Sequence, residues 1–404
     1  MLDIIPVYLV NKSLDIYNNY FGGYMGNSQI VHVECNTYEK EIVKEKLKQG
    51  LGLIGGLGRY VKKGQQVLLK VNLLMGKPPE EAVTTHPAFV EAVAELVAAE
   101  GATPIIGDSP GGIFNKGFLT RAYQAAGLDA VAERCGAKLN WDFETEQLPF
   151  SEGKILKTVT IGKFVSNADV IINLPKFKTH GLTKLTGAVK NMFGIVPGLV
   201  KAEYHMNMSA IPDFADVLLD IALSLPPVLS IMDGITGMQG EGPSGGDPIQ
   251  LNSVLIGTDP LAVDVAMAMR AGIDPKEVTT IEAAARRGMV SSENEIELLG
   301  EPISSASFAS PEVRSSAGID ERLPAPLYKL LERLLKPRPV FIDENCIQCG
   351  ICIQNCPPKV ISKTEHGVKA DLSGCIRCFC CQELCPERAV HIKRPLLGKL
   401  FRGL

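Results

Sequence analysis

Two almost superimposable cysteine runs near the C-terminus constrain this chain more than any other feature. The first is Cys346, Cys349, Cys352 and Cys356 followed by Pro357, and the second is Cys375, Cys378, Cys381 and Cys385 followed by Pro386. Both read C-x2-C-x2-C-x3-C-P, a spacing that holds cubane iron–sulphur clusters: three close thiolates wrap one corner, and the fourth cysteine reaches across to the other cluster. Cys346, Cys349, Cys352 and Cys385 are therefore expected to hold one 4Fe–4S cluster, and Cys375, Cys378, Cys381 and Cys356 the second. The proline after each fourth cysteine has no N–H and a fixed φ, so it turns the chain away from the cluster. Structural zinc would ask for two CxxC pairs instead of two four-cysteine runs.

Residues 340–393 as a whole resemble a bacterial-type two-cluster ferredoxin domain, including strand-like segments at 339–342 and 389–392. The resemblance implies a small α+β unit carrying two cubane clusters and handling electrons. Cys380 is surplus to that scheme. Eight thiolates already serve two cubanes, so it reads as a spare thiol beside Cys381.

With 404 residues the chain has room for two or three domains and a well-buried core. A charged fraction of 21% is ordinary for a globular protein, and a net charge of −4 offers no basic stripe for nucleic acid. Outside the two runs remain Cys35, Cys135 and Cys380, a scattered set without disulphide logic. Exposed cubanes call for a reducing compartment, so a cytoplasmic location is expected. No stretch approaches the ~18 apolar residues of a membrane span. The apolar N-terminus carries Asp3 in place of a basic region, which is unlike a signal peptide.

Between 30 and 289, short apolar runs alternate with helical stretches, the pattern of an α/β domain with a layered, mostly parallel sheet. Strands are expected at 30–34, 66–74, 103–108, 169–174, 228–233 and 253–257, and helices at 87–100, 119–135, 212–225 and 260–271. Five domain segments follow: an extension at 1–29, the α/β domain at 30–320, a linker helix at 321–339, the ferredoxin domain at 340–393 and a basic tail at 394–404. The linker places Leu327, Leu330, Leu331, Leu334 and Leu335 on one helical face, and the tail repeats that amphipathic theme. Either stretch suits docking or peripheral membrane contact.

Two G-x-G-x-x-G matches, at 50–55 and 240–245, lack the strand–turn–helix context of a dinucleotide site. Polar residues at strand ends are more informative, because open α/β sheets bind ligands outside the carboxyl ends of their strands. Lys70 and Asn72 close one strand, and His86 sits in the loop after it. Asp108 and Ser109 open a GDSPGG turn. Lys176, Lys178 and His180 alternate along LPKFKTHG and share one side if that segment is extended. Lys190 and Asn191 lie in TGAVKNMFG, His205 in a polar loop, Asp233 just before a glycine-rich loop and Glu241 inside it. Three lysines with two histidines suit a carboxylate or phosphate ligand. A metal held by the histidines with Asp233 and Glu241 is the alternative, although no HxH or HxxxH spacing supports it. Asp259 before Pro260 reads as a helix N-cap.

The combination KVNLL, THP, GDSPGG, NLPKFKTHG, TGAVKNMFG, MDGITGMQGEGP and GTDPLAVD resembles domain-of-unknown-function family 362, uncharacterised iron–sulphur-centre proteins, over about residues 30–290. The resemblance implies an α/β fold and a redox role, and brings no settled reaction. The expected function is a ferredoxin-type oxidoreductase that exchanges electrons with an external donor or acceptor, a ferredoxin or redox enzyme. Lys178, Lys176 and Lys190 would hold an anionic substrate, and His180 or His205 would deliver a proton. The alternative is a non-catalytic electron carrier or adaptor that docks on a partner redox enzyme.

Overall fold

The computed structural model describes residues 28–208, 210–290, 292–310 and 337–394. The expected extension, linker helix and basic tail lie almost wholly outside the described residues.

In chain order the strands are β1 (Ser28–Glu34), β2 (Gln66–Val71), β3 (Thr103–Gly107), β4 (Lys138–Leu139), β5 (Thr145–Pro149), β6 (Thr158–Gly162), β7 (Val170–Leu174), β8 (Lys176–His180), β9 (Lys184–Thr186), β10 (Leu229–Gln239), β11 (Asp247–Gly257) and β12 (Ile296–Gly300). Ten of them form one sheet in the order β12-β1-β11-β10-β7-β2-β3-β4, with β8 beside β10 and β9 beside β8. The stretch from β10 through β7, β2 and β3 to β4 is parallel. β11 runs antiparallel to both neighbours, so the sheet is mixed and mostly parallel. β5 and β6 form a separate hairpin.

A parallel sheet needs cover on both faces, and the sequence supplies it. Val67, Leu69 and Val71 of β2 point into one core with Phe89, Val90 and Val93 of the Pro87–Ala99 helix. Leu68 points the other way, into a core with Phe214, Val217 and Leu218 of the Ile211–Ser224 helix. Period-two alternation along a strand thus feeds two layers. Asp259 caps the Pro260–Ala271 helix by accepting the Leu261 N–H at 2.9 Å.

Several expectations needed correction. The single helix at 119–135 is two, Lys116–Ala125 and Leu128–Cys135, separated at Gly127, whose φ of 69° breaks the helical path. β10 and β11 run far beyond 228–233 and 253–257 and pair as one long hairpin. LPKFKTHG is extended as expected, its Lys176–His180 stretch forming β8, held between β10 and β9. The polar segment after 291 contains β12, which pairs parallel with β1.

In the C-terminal region β13 (Arg338–Phe341) pairs with β16 (Val390–Lys393), and β14 (Ile361–Lys363) with β15 (Val368–Ala370). The two cysteine runs have the same backbone. Gln348 and Arg377, Gly350 and Phe379, and Lys359 and Arg388 occupy matching places and all have positive φ. Each run then enters a short helix, Ile351–Gln354 or Cys380–Glu383. This region sits on the strand-end side of the large sheet. Lys77 Nζ donates to the Pro386 carbonyl at 2.7 Å, Ser244 Oγ to the Glu383 carbonyl at 2.8 Å, and Gln382 Nε2 to the Glu241 carbonyl at 3.0 Å.

Candidate functional site

Cys346, Cys349, Cys352 and Cys385 line one cavity of about 370 Å³. Cys356, Cys375, Cys378 and Cys381 line a second, of about 340 Å³. The fourth cysteine of each run therefore stands with the first three of the other. Burial, then the neighbouring Cys349, Cys385 and Cys346, pushes the Cys352 thiol up to about 11. Burial and the neighbouring thiols likewise hold Cys381 well above the usual thiol range. Thiols crowded this way give up their protons only to a strongly cationic body, which is what iron supplies. The donor sets fit two cubane clusters.

A third cleft, of about 810 Å³, opens between the two domains. Its floor comes from strand ends: Asn72 after β2, Asp108 and Ser109 after β3, Lys178 on β8 and Thr186 on β9. Lys190 and Asn191 enter from the short Ala188–Asn191 helix, and Lys201 and His205 from the Val200–Asn207 helix. The opposite wall is the C-terminal domain's Asn355, Cys380, Glu383 and Leu384. Cys380 also lines the second cysteine cavity, so this one residue separates it from the cleft.

The polar network here is ordered. Asn173 Nδ2 donates to the Ala188 carbonyl at 3.0 Å, which fixes its amide orientation. Asn191 Nδ2 then donates to Asn173 Oδ1 at 2.7 Å, and Asn72 Nδ2 to Asn191 Oδ1 at 2.9 Å. The chain ends at Asn72 Oδ1, which accepts from Lys178 Nζ at 2.8 Å. Burial lowers Lys190, whose ammonium stands 5.9 Å from the Phe193 ring centroid. Burial also brings Lys201 down to about 7 and His205 down to about 4.

Of the expected ligand residues, Asn72, Asp108, Ser109, Lys178, Lys190, Asn191 and His205 line this cleft. Others are placed elsewhere. Lys70 is fully buried behind Asp108, 2.8 Å from its Oδ1. Lys176 pairs with Asp233 at 2.7 Å and donates to Tyr38 Oη at 2.9 Å. His86 caps a helix and stacks on Tyr38 at 3.5 Å between centroids. Glu241 pairs with Arg394 across the domain junction. With Asp233 and Glu241 both committed to cations, the metal alternative loses its carboxylates. Lys176, Lys178 and His180 do alternate along β8, but each meets a different partner; His180 Nε2 lies 3.1 Å from Glu383 Oε1. His205 lies on a helix, stacked on Phe214 at 4.3 Å, and not in a loop.

Thr186, Lys201, Cys380, Glu383 and Leu384 were not among the expected site residues. Cys380 carried a signal, as the one thiol the cluster count left over. Glu383 and Leu384 become site residues only through domain docking, whereas Thr186 and Lys201 line the cleft from the α/β domain itself.

Fold and cysteines together define an iron–sulphur protein with a 4Fe–4S dicluster domain. That domain's family model matches residues 338–386, and its cofactors are two 4Fe–4S clusters. The model of the domain of unknown function DUF362 matches residues 67–269, and the chain belongs to that family. A thylakoid-associated protein of Synechocystis sp. is 35% identical over 264 residues, 64% of this chain and 78% of that protein. Among solved structures, the lactate racemase apoprotein of Thermoanaerobacterium thermosaccharolyticum matches at 12% identity and TM-score 0.37, covering 58% of this chain and 54% of that one. A Thermotoga maritima protein matches at 16% identity and TM-score 0.29, covering 54% and 55%. The chain spans about half the length of these two structures. Among the described residues no helix is long and apolar enough to cross a membrane.

Proposed function

We propose that this protein is an oxidoreductase that passes electrons through its two clusters to an anionic small molecule held in the interdomain cleft. Cys349 is the exposed ligand and belongs to the first set, whereas Cys356 and Cys381 of the second set are buried. Electrons therefore enter at the first cluster, supplied by an external low-potential carrier, and leave from the second toward the cleft. The observation that carries this reading is Cys380, which lines both the second cysteine cavity and the cleft that holds Lys178 and Lys190. A carrier that only docks on a partner has no use for a cleft walled by buried lysines and amides. Within it, Lys190 and Lys201 attract the anion, Asn72 and Asn191 hold Lys178 in place, and His205, neutral near pH 7, offers an N–H to the ligand.

The test is reoxidation. Protein reduced anaerobically with dithionite and freed of excess reductant is mixed with panels of small carboxylates and phosphate esters, and cluster absorbance is followed. One class should restore the oxidised spectrum, and Lys190→Met should slow that step roughly tenfold or more, the worth of a charge-assisted contact. If no anion reoxidises the clusters faster than buffer does, the assignment fails.

A further inference from the structure

Two buried lysines of the α/β domain face carboxylates: Lys70 faces Asp108 at 2.8 Å and Lys176 faces Asp233 at 2.7 Å. Lys178 is equally buried, at 1% exposure, yet among the described residues its Nζ meets only neutral oxygens, Asn72 Oδ1 at 2.8 Å and the Val83 carbonyl at 2.7 Å. Two acceptors match the two N–H bonds of a neutral amine and leave its lone pair free. The acceptor role of Asn72 follows from the amide chain that begins at the Ala188 carbonyl, so Lys178 sits at the end of an oriented relay. Burial, then the charges of Lys190 and Lys176, holds the amine well below the usual lysine range. A desolvated lysine beside a second cation is the environment that makes an amine nucleophilic.

What stands beside this amine indicates the ligand. Lys178 and Thr186 are directly opposed in the β8–β9 pair, which brings their side chains together on one face. The Thr186 hydroxyl is buried, lines the cleft and has no hydrogen-bond partner among the described residues. Lys190 follows in the next short helix and lines the same cleft. A hydroxyl donor with an ammonium makes a carboxylate subsite, and it adjoins an amine suited to a carbonyl. A carboxylate next to a carbonyl is a 2-oxo acid.

We propose that Lys178 condenses with the keto group of a 2-oxo acid whose carboxylate rests on Thr186 and Lys190. This inference rests on the reading of the cleft as a site for an anionic small molecule. In the step, a nitrogen–carbon bond forms, the carbon–oxygen double bond breaks, and the oxygen leaves as water with both hydrogens of the amine. No electrons are exchanged. A proton taken up from water makes the imine an iminium, whose carbon accepts electrons more readily than the ketone carbon did, which prepares the ligand for reduction in a site beside a cluster.

The test uses full-length, cluster-loaded protein, pyruvate as probe and sodium cyanoborohydride to trap the imine, under anaerobic conditions. Denatured mass and peptide mapping should show one adduct per chain, on Lys178, absent from Lys178→Arg and Lys178→Met. In parallel, the Tm of wild type and Lys178→Arg is measured with pyruvate and no reductant. A Tm rise without any adduct overturns the imine and leaves the anion site standing. Neither a Tm rise nor an adduct overturns both. Labelling spread over many lysines and unchanged in Lys178→Met also overturns the imine.

Discussion

His180 Nε2 lies 3.1 Å from Glu383 Oε1, and this contact joins a strand of the α/β domain to a helix flanked by cluster ligands. The tautomer follows from the other nitrogen, since Nδ1 accepts the Leu182 N–H at 3.0 Å and leaves the hydrogen on Nε2. Burial, then the Lys190 charge, brings the imidazole down to about 4, so it is neutral at pH 7 and meets the carboxylate as a close polar contact outside hydrogen-bond geometry. Removing it in His180→Leu strands the Glu383 carboxylate and should cost about 1–3 kcal/mol of stability. Urea unfolding followed by cluster absorbance measures this, and His180→Gln, which keeps a donor, should recover part of the loss.

Gly194 packs against the buried Lys70–Asp108 pair. A Cβ there would stand 2.1 Å from Asp108 Oδ1 and 2.4 Å from Lys70 Nζ. Gly194→Ala should therefore destabilise the α/β domain by about 1–3 kcal/mol, the usual cost of overpacking. A downward shift of the urea midpoint at constant m-value is the expected result.

Asp233 compensates Lys176 and accepts from Tyr38 Oη at 2.7 Å and the His86 N–H at 2.9 Å. Asp233→Ala leaves a buried cation alone and should cost about 3–5 kcal/mol. Asp233 does not line the cleft, so protein that remains folded should bind anions as wild type does. Circular dichroism in urea reads the first effect, and a pyruvate-induced Tm shift reads the second.

Lys201 lines the cleft with its ammonium lowered to about 7 by burial, against the pull of Asp108. An anion favours the protonated form, which is present below that value and lost above it. Anion affinity should therefore fall as pH rises through about 7, and Lys201→Met should flatten the profile. Titrations at pH 6 and pH 8 with each protein test the sign.

The crossed ligand sets make a pairwise prediction. Cys356→Ser should leave the same residual electron-paramagnetic spectrum as Cys375→Ser, and Cys385→Ser the same as Cys346→Ser. If Cys356→Ser matches Cys346→Ser instead, the runs do not exchange their fourth ligands.

How far the sequence could be read depended on the range of the interaction. The cysteine runs were legible because ligand spacing is local, and the helix starting at Pro87 because its cap and apolar period are local too. The strand-end positions of Asn72 and Asp108 followed from apolar runs and the general behaviour of open sheets. The failures were pairings between distant residues. Lysine in a sequence does not reveal whether a carboxylate waits opposite, so Lys70, Lys176 and Lys178 read alike, although the fold pairs the first two and leaves the third among neutral oxygens. Glu383 could be placed only after the two domains were docked, because its partner His180 is two hundred residues away in the chain.

One wall of the cleft is the Cys380–Glu383 helix, held between cysteines that need iron to stay together. The cleft thus shares a wall with the second cysteine set through Cys380 and Cys381. A molecule that lost that cluster to air would keep this wall only through its contacts with the α/β domain, such as Ser244 Oγ to the Glu383 carbonyl and Gln382 Nε2 to the Glu241 carbonyl. On the function proposed above, damage that ended electron delivery would end ligand capture with it, and a damaged copy would not sequester the compound that intact copies use.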